Sequence, residues 1–202
     1  MGPSPELSNG QEVVVFHSAL GLRPAVLSFA ARLREAGHRV HTPDLYDGAV
    51  FMDAASAVAK IQELGFDELI VRSQAAVTSL PSDLVYAGFS NGGAFAELLA
   101  ATRPGARAAI LMHAPLMIRD LGWKTWPPGV PVQVHFSEGD PVRSQPVVEA
   151  LAARVRASGA TFEQFNYEGS GHLFADIDSP HYSPTAAEAM VKNVLHFLSR
   201  LA

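Results

Sequence analysis

Two hundred and two residues with no cysteine and a net charge of −5 exclude a good deal before any motif is read. Disulfides, thiolate catalysis and cysteine-held metals need a residue type the chain lacks, and a nucleic-acid binder would cluster Lys and Arg to displace counterions, which this chain does not do. At 48% hydrophobic and 17% charged it has the apolar surface to build a core, and its length favours one domain over two.

Residues 1–11 (MGPSPELSNGQ) are polar and rich in Pro, Gly and Ser, without the positive-then-apolar layout of a signal peptide. They read as a disordered lead-in to one domain over 12–202. No stretch approaches the roughly 20 apolar residues of a membrane span. The expectation is a cytoplasmic protein, monomeric or homodimeric, with neither membrane nor nucleic acid as partner.

The continuous apolar run Val13–Phe16 predicts a strand covered on both faces. From Pro24 to Ala36 the apolar spacing is helical, with Pro at the start and Gly37 as a stop. A short strand around Val40 precedes Pro43-Asp44, and Asp67 to Leu80 reads as a helix. Leu84–Ala87 is a strand and Gly92–Thr102 a helix of small residues. Strands follow at Ala108–Met112 and Val132–Phe136, then a helix at Gln145–Ala157, a strand at Thr161–Tyr167 and an amphipathic helix at Ala186–Leu201. This alternation predicts an α/β fold: one doubly wound, mainly parallel sheet with helices on both faces. The connection from Met112 to Val132 is too short for a separate lid domain.

Ligands of such sheets sit at the C-terminal ends of the strands, so reactive side chains just after strands carry the most weight. Gly88-Phe89-Ser90-Asn91-Gly92 is G-x-S-x-G between a strand and a helix. A serine on so sharp a turn is forced into a strained backbone that only small neighbours permit, which lifts its Oγ above the sheet. A Gly-rich turn with an incidental serine is the competing reading. Asp140 follows Val132–Phe136 in Ser137-Glu138-Gly139-Asp140-Pro141, where ordinary turn chemistry competes and Glu138 is the nearest rival. His172 follows Thr161–Tyr167 in Gly169-Ser170-Gly171-His172. The order Ser, Asp, His is that of α/β hydrolases: His172 would deprotonate Ser90, and Asp140 would hold His172. The backbone N–H groups of Asn91 and of Ala19, in the loop after Phe16, are the candidate oxyanion donors.

These residues resemble the dienelactone hydrolase family, whose layout is matched by Val13–Gly21, Pro43-Asp44-Leu45-Tyr46, the Ser90 turn, Gly139-Asp140, Tyr167–Phe174 and the stretch 182–189. The resemblance implies a single-domain hydrolase of the α/β-hydrolase fold, and the length leaves no room for a lid. This chain departs from the best-known members in having serine rather than cysteine as candidate nucleophile. It also has Ser18 where they carry a glutamate and Asp176 where they carry a carboxylate-binding arginine. A substrate carboxylate would thus be expected to meet negative charge at Asp176.

By position, Ser18, Leu20, His113 and Val142 are candidates for substrate contact, with packing as the competing reading for each. Trp123 and Trp126 are candidates to wall an apolar pocket, against the alternative of a small packed cluster. No metal and no cofactor is implied. The leading function is a serine hydrolase of small esters, thioesters or lactones acting through an acyl-enzyme on Ser90. An acyl-protein thioesterase or carboxylesterase, whose elbow is similar, and a non-catalytic ligand-binding protein of the same fold are the alternatives.

Overall fold

The computed structural model describes residues 10–114 and 125–201. The elements run β1 (Glu12–Phe16), α1 (Pro24–Glu35), β2 (Arg39–His41), α2 (Ala54–Leu64), α3 (Phe66–Ala75), β3 (Val85–Phe89) and α4 (Asn91–Thr102). They continue with β4 (Ala108–Met112), β5 (Val132–Ser137), α5 (Gln145–Ala157), β6 (Phe162–Tyr167) and α6 (Pro184–Ser199). One sheet has the order β2-β1-β3-β4-β5-β6, with every neighbouring pair parallel.

The apolar run of β1 divides with the two-residue period of a strand. Val13 and Val15 pack on one face with Phe29 and Leu33 of α1 and Val194 and Phe197 of α6. Val14 and Phe16 pack on the other with Leu69 of α3, Phe95 and Leu99 of α4, and Val148 and Leu151 of α5. Both faces are therefore closed, and a strand with no solvated side needs no polar alternation. The six-stranded α/β sheet expected from the alternation of segments is the observed one.

Two local differences bear on the site. The expected lead-in lies outside the described residues except for Gly10 and Gln11. Gln11 belongs to the folded body: its N–H donates to His38 Nδ1 at 3.0 Å and its side chain to the Leu201 carbonyl at 2.9 Å. The sequence reading also passes over α2 and runs the next helix to Leu80, whereas α3 ends at Ala75. Gly65, at φ +81, ends α2 and starts α3, a left-handed backbone that lets two helices meet at a sharp corner. Among the described residues no helix is long and apolar enough to cross a membrane.

After β1 the chain forms β2 on one side and then β3 on the other. The loops leaving β1 and β3 diverge there and open a crevice, the switch point at which ligands of doubly wound sheets bind. Ala19 follows β1 and Ser90 follows β3, so both border that crevice.

Candidate active site

Ser90 stands between β3 and α4 at φ +51, ψ −114. Few non-glycine residues hold such a backbone, and it is kept by its surroundings. The Ser90 N–H donates to the Met112 carbonyl at 2.7 Å, and the Ser90 carbonyl accepts from the Gly93 N–H at 2.8 Å. The flanking glycines are steric necessities. A Cβ on Gly88 would strike the backbone of Gly92, and one on Gly92 would strike the carbonyl oxygens of Phe16 and His17.

Asp140 and His172 reach the same place from neighbouring strands. The pairing of β5 with β6 continues past Ser137 into the two loops: the Glu138 N–H donates to the Tyr167 carbonyl at 2.8 Å and the Gly139 N–H to that of Gly169 at 2.9 Å. The buried Ser137 hydroxyl donates to the Gly171 carbonyl at 2.7 Å, which fixes the backbone immediately before His172. The Asp140 carboxylate accepts the Val142 N–H at 2.8 Å and so holds its own turn. Glu138, the nearest rival, is exposed, whereas the Asp140 side chain is wholly shielded from solvent.

The structure brings the three side chains into one line. Ser90 Oγ lies 2.7 Å from His172 Nε2, and both Asp140 carboxylate oxygens lie 2.9 Å from His172 Nδ1. An ionised carboxylate only accepts, so Nδ1 carries the proton and Nε2 presents a lone pair to the Ser90 hydroxyl. This is the arrangement of a nucleophile, a base and a group that orients the base.

Ser90 and His172 open on a cavity of about 310 Å³. Its lining comes from two stretches of chain: Leu20, Met52, Ala57 and Val58 from the segments after β1 and β2, and Val142, Leu173, Ser179 and His181 from those after β5 and β6. Ala19 lines it beside Ser90, and Asn91 is the first residue of α4, where the helix offers its N–H no carbonyl partner. Ser18 also lines the cavity, and its hydroxyl accepts the Leu20 N–H at 3.2 Å within its own loop. That loop is anchored by His17, whose ring nitrogens lie 2.7 Å from the Ser18 carbonyl oxygen and 3.0 Å from the Leu45 N–H.

Three expectations need correction. His113 does not face the cavity: it is fully buried, at φ +60, and this turn tucks its ring among Phe89, Phe174 and the edge of His172, 5.7 Å between the two imidazole centroids. Burial, reinforced by the nearby His172 and His135, pushes its pKa well below the usual histidine range. Trp126 is also a core residue. It is 2% exposed, packs with the α3–α5 side of the core and donates its indole N–H to the Val130 carbonyl at 2.7 Å. Trp123 lies outside the described residues. Asp176 does not confront the cavity either; it is buried against Arg23, 3.5 Å away.

The cavity residues that sequence reasoning missed are Leu173, Ser179 and His181 beside His172, and Met52, Ala54, Ala57 and Val58 in and before α2. For α2 a signal existed: Asp53 caps the helix by accepting the Ser56 N–H at 2.8 Å, and Ala57, Ile61 and Leu64 recur at helical spacing.

The chain matches the dienelactone hydrolase family over residues 3–202. It belongs to that family. A carboxymethylenebutenolidase from Rhodococcus opacus is 26% identical to it over 199 residues, 91% of this chain and 78% of that protein. Among solved structures, a dienelactone hydrolase-like promiscuous phosphotriesterase from metagenomic libraries is 27% identical, with TM-score 0.77 and coverage of 95% of this chain and 86% of that one. An α/β hydrolase from a Medee basin deep-sea metagenome shares the fold at TM-score 0.67 and 14% identity, covering 98% and 88%. Membership makes this dienelactone hydrolase family protein an α/β hydrolase acting on ester bonds.

Proposed function

We propose that this family member hydrolyses small carboxylic esters through an acyl-enzyme on Ser90. The observation that carries the reading is the unbroken chain from Ser90 Oγ through His172 to Asp140, at 2.7 and 2.9 Å. Ser90 Oγ attacks the ester carbonyl carbon while its proton passes to His172 Nε2. The carbonyl oxygen takes the negative charge and is held by the N–H groups of Ala19 and Asn91. Collapse of the tetrahedral intermediate breaks the bond to the alcohol oxygen, which leaves with the proton from Nε2. Water then repeats the sequence: His172 takes its proton, the hydroxide oxygen attacks the acyl carbon, and Ser90 Oγ departs with the proton. Asp140 keeps the imidazole in the required tautomer and stabilises the imidazolium.

A fluorophosphonate probe tests the reading, because it phosphonylates only an activated serine. Intact-mass and peptide analysis should place one adduct on Ser90, and Ser90→Ala should take up none. A folded protein that fails to label, or a Ser90→Ala variant that labels equally well, refutes the mechanism in favour of a non-catalytic binding protein.

A further inference from the structure

The cavity is not symmetric about Ser90. The strand order puts the loops after β1 and β2 on one side of β3 and those after β4, β5 and β6 on the other. Asp140 and His172 leave β5 and β6; Leu20 leaves β1, and Met52 and Val58 follow β2. In acyl transfer the departing oxygen must come within hydrogen-bond reach of the histidine that protonates it. The leaving alcohol therefore occupies the β5–β6 side, and the acyl chain extends toward β1 and β2.

That second side is apolar and incompletely buried. Among the described residues, two of the seven large apolar side chains left exposed line this side of the cavity, Met52 at 75% and Val58 at 48%, against one, Val142, on the other. Within α2 only Ala57 is fully buried, so packing does not account for Val58 beside it. Clustered apolar area left open next to a reactive serine marks a binding surface.

Resting on the triad reading above, we infer that the α2 side is an acyl subsite for neutral aliphatic chains. The acyl group lies along Leu20, Met52 and Val58, and the alcohol leaves past Val142, Leu173 and the more polar Ser179 and His181. Recognition is thus concentrated in the acid half of the ester and rises with its apolar length.

Two ester series separate the halves: p-nitrophenyl esters from acetate to hexanoate, and acetates of straight-chain alcohols from ethanol to hexanol followed by pH-stat. Complete burial of a methylene is worth roughly fourfold, so kcat/KM should climb by about two- to fourfold per methylene along the acyl series and less along the alcohol series. Val58→Asp, and independently Met52→Asp in the preceding loop, should flatten the acyl slope and leave the alcohol slope in place. Val71→Asp, exposed on α3 away from the cavity, should change neither. The inference is overturned by a flat acyl series in the wild type, or by an acyl slope that survives both wall variants. Collapse of the alcohol slope instead also overturns it. Esters left untouched by a protein whose Ser90 takes no fluorophosphonate would remove the triad reading itself, and the subsite with it.

Discussion

Replacing Ser90 by glycine should leave a more stable protein than replacing it by alanine, the reverse of the usual ranking. At φ +51, ψ −114 the backbone of residue 90 lies outside the regions open to residues bearing a Cβ. Holding a residue there costs about 1–3 kcal/mol. Alanine keeps that strain and glycine relieves it. Against this, glycine gives the unfolded chain extra freedom, a loss of about 0.5–1 kcal/mol relative to alanine. Both variants lose the hydroxyl bond to His172 Nε2, so its contribution cancels between them. The balance favours glycine by about 1 kcal/mol, which for a domain of this size is about 2–4 °C in Tm. Calorimetry on the two variants side by side, with urea unfolding as a second measure, reads the difference directly. Alanine equal to or above glycine would show that the turn is not strained.

Two further outcomes concern buried charge. Glu97, 7% exposed on α4, has one carboxylate oxygen without a hydrogen-bond partner, and burial pushes its pKa up to about 8 against the opposing charge of Arg154. Between the unfolded value near 4.5 and about 8 the folded state holds a proton that the unfolded state has released, so this group makes stability fall as pH rises through that window and level off above it. Glu97→Gln should remove that slope in urea unfolding between pH 5 and 8; a stability difference from wild type that stays constant with pH would contradict the assignment. Arg23, 3% exposed, lies 3.5 Å from Asp176 and 3.4 Å from Asp178 and donates to the Phe51 carbonyl at 3.4 Å. Arg23→Met should cost about 3–5 kcal/mol by leaving Asp176 buried and uncompensated, and adding Asp176→Leu should recover part of that loss in a double-mutant cycle. A double variant no more stable than the single one would show that Asp176 does not depend on Arg23.

The parts of this protein readable from its sequence are those whose causes are local or periodic. The Ser90 turn announces itself because Gly88 and Gly92 are required by backbone atoms within a few residues or on the adjoining strand. The strands announce themselves because a sheet covered on both faces needs uninterrupted apolar runs. Where Asp140 and His172 lie relative to Ser90 follows from strand order and the position of each loop. What was not legible depended on direction. Nothing local to His113 says that a φ of +60 turns its ring under His172 rather than into the cavity. Trp126 has a carbonyl partner at Val130 that only the folded loop supplies. Nothing near Asp176 in the sequence reveals that Arg23, far away along the chain, lies 3.5 Å from its carboxylate. The α2 segment does carry a cap at Asp53 and helical spacing in Ala57, Ile61 and Leu64, but only the folded chain sets Val58 beside Ser90 in one cavity.

The proposed oxyanion donors, Ala19 and Asn91, raise a question of aim, since a backbone N–H stabilises developing charge only if it already points at it. Asn91 is aimed by the helix it begins. Ala19 has no helix and must be aimed by its own peptide. The Ser18–Ala19 unit is planar and trans, so its carbonyl and its N–H point in opposite directions. The Ser18 carbonyl oxygen is gripped by His17 Nδ1 at 2.7 Å and the Gly21 N–H at 3.1 Å. Holding the carbonyl therefore turns the Ala19 N–H the other way. The grip works in one tautomer only: the Leu45 N–H donates to Nε2 at 3.0 Å, so Nε2 carries the lone pair and Nδ1 the proton. A second proton would set Nε2–H against the Leu45 N–H and open the lock. Burial, the dominant influence, lowers the His17 pKa, outweighing the Ser18 carbonyl and the Asp44 carboxylate 3.9 Å away. The imidazole thus stays neutral because it is buried, and being neutral it holds the Ser18–Ala19 peptide in the orientation the proposed chemistry requires.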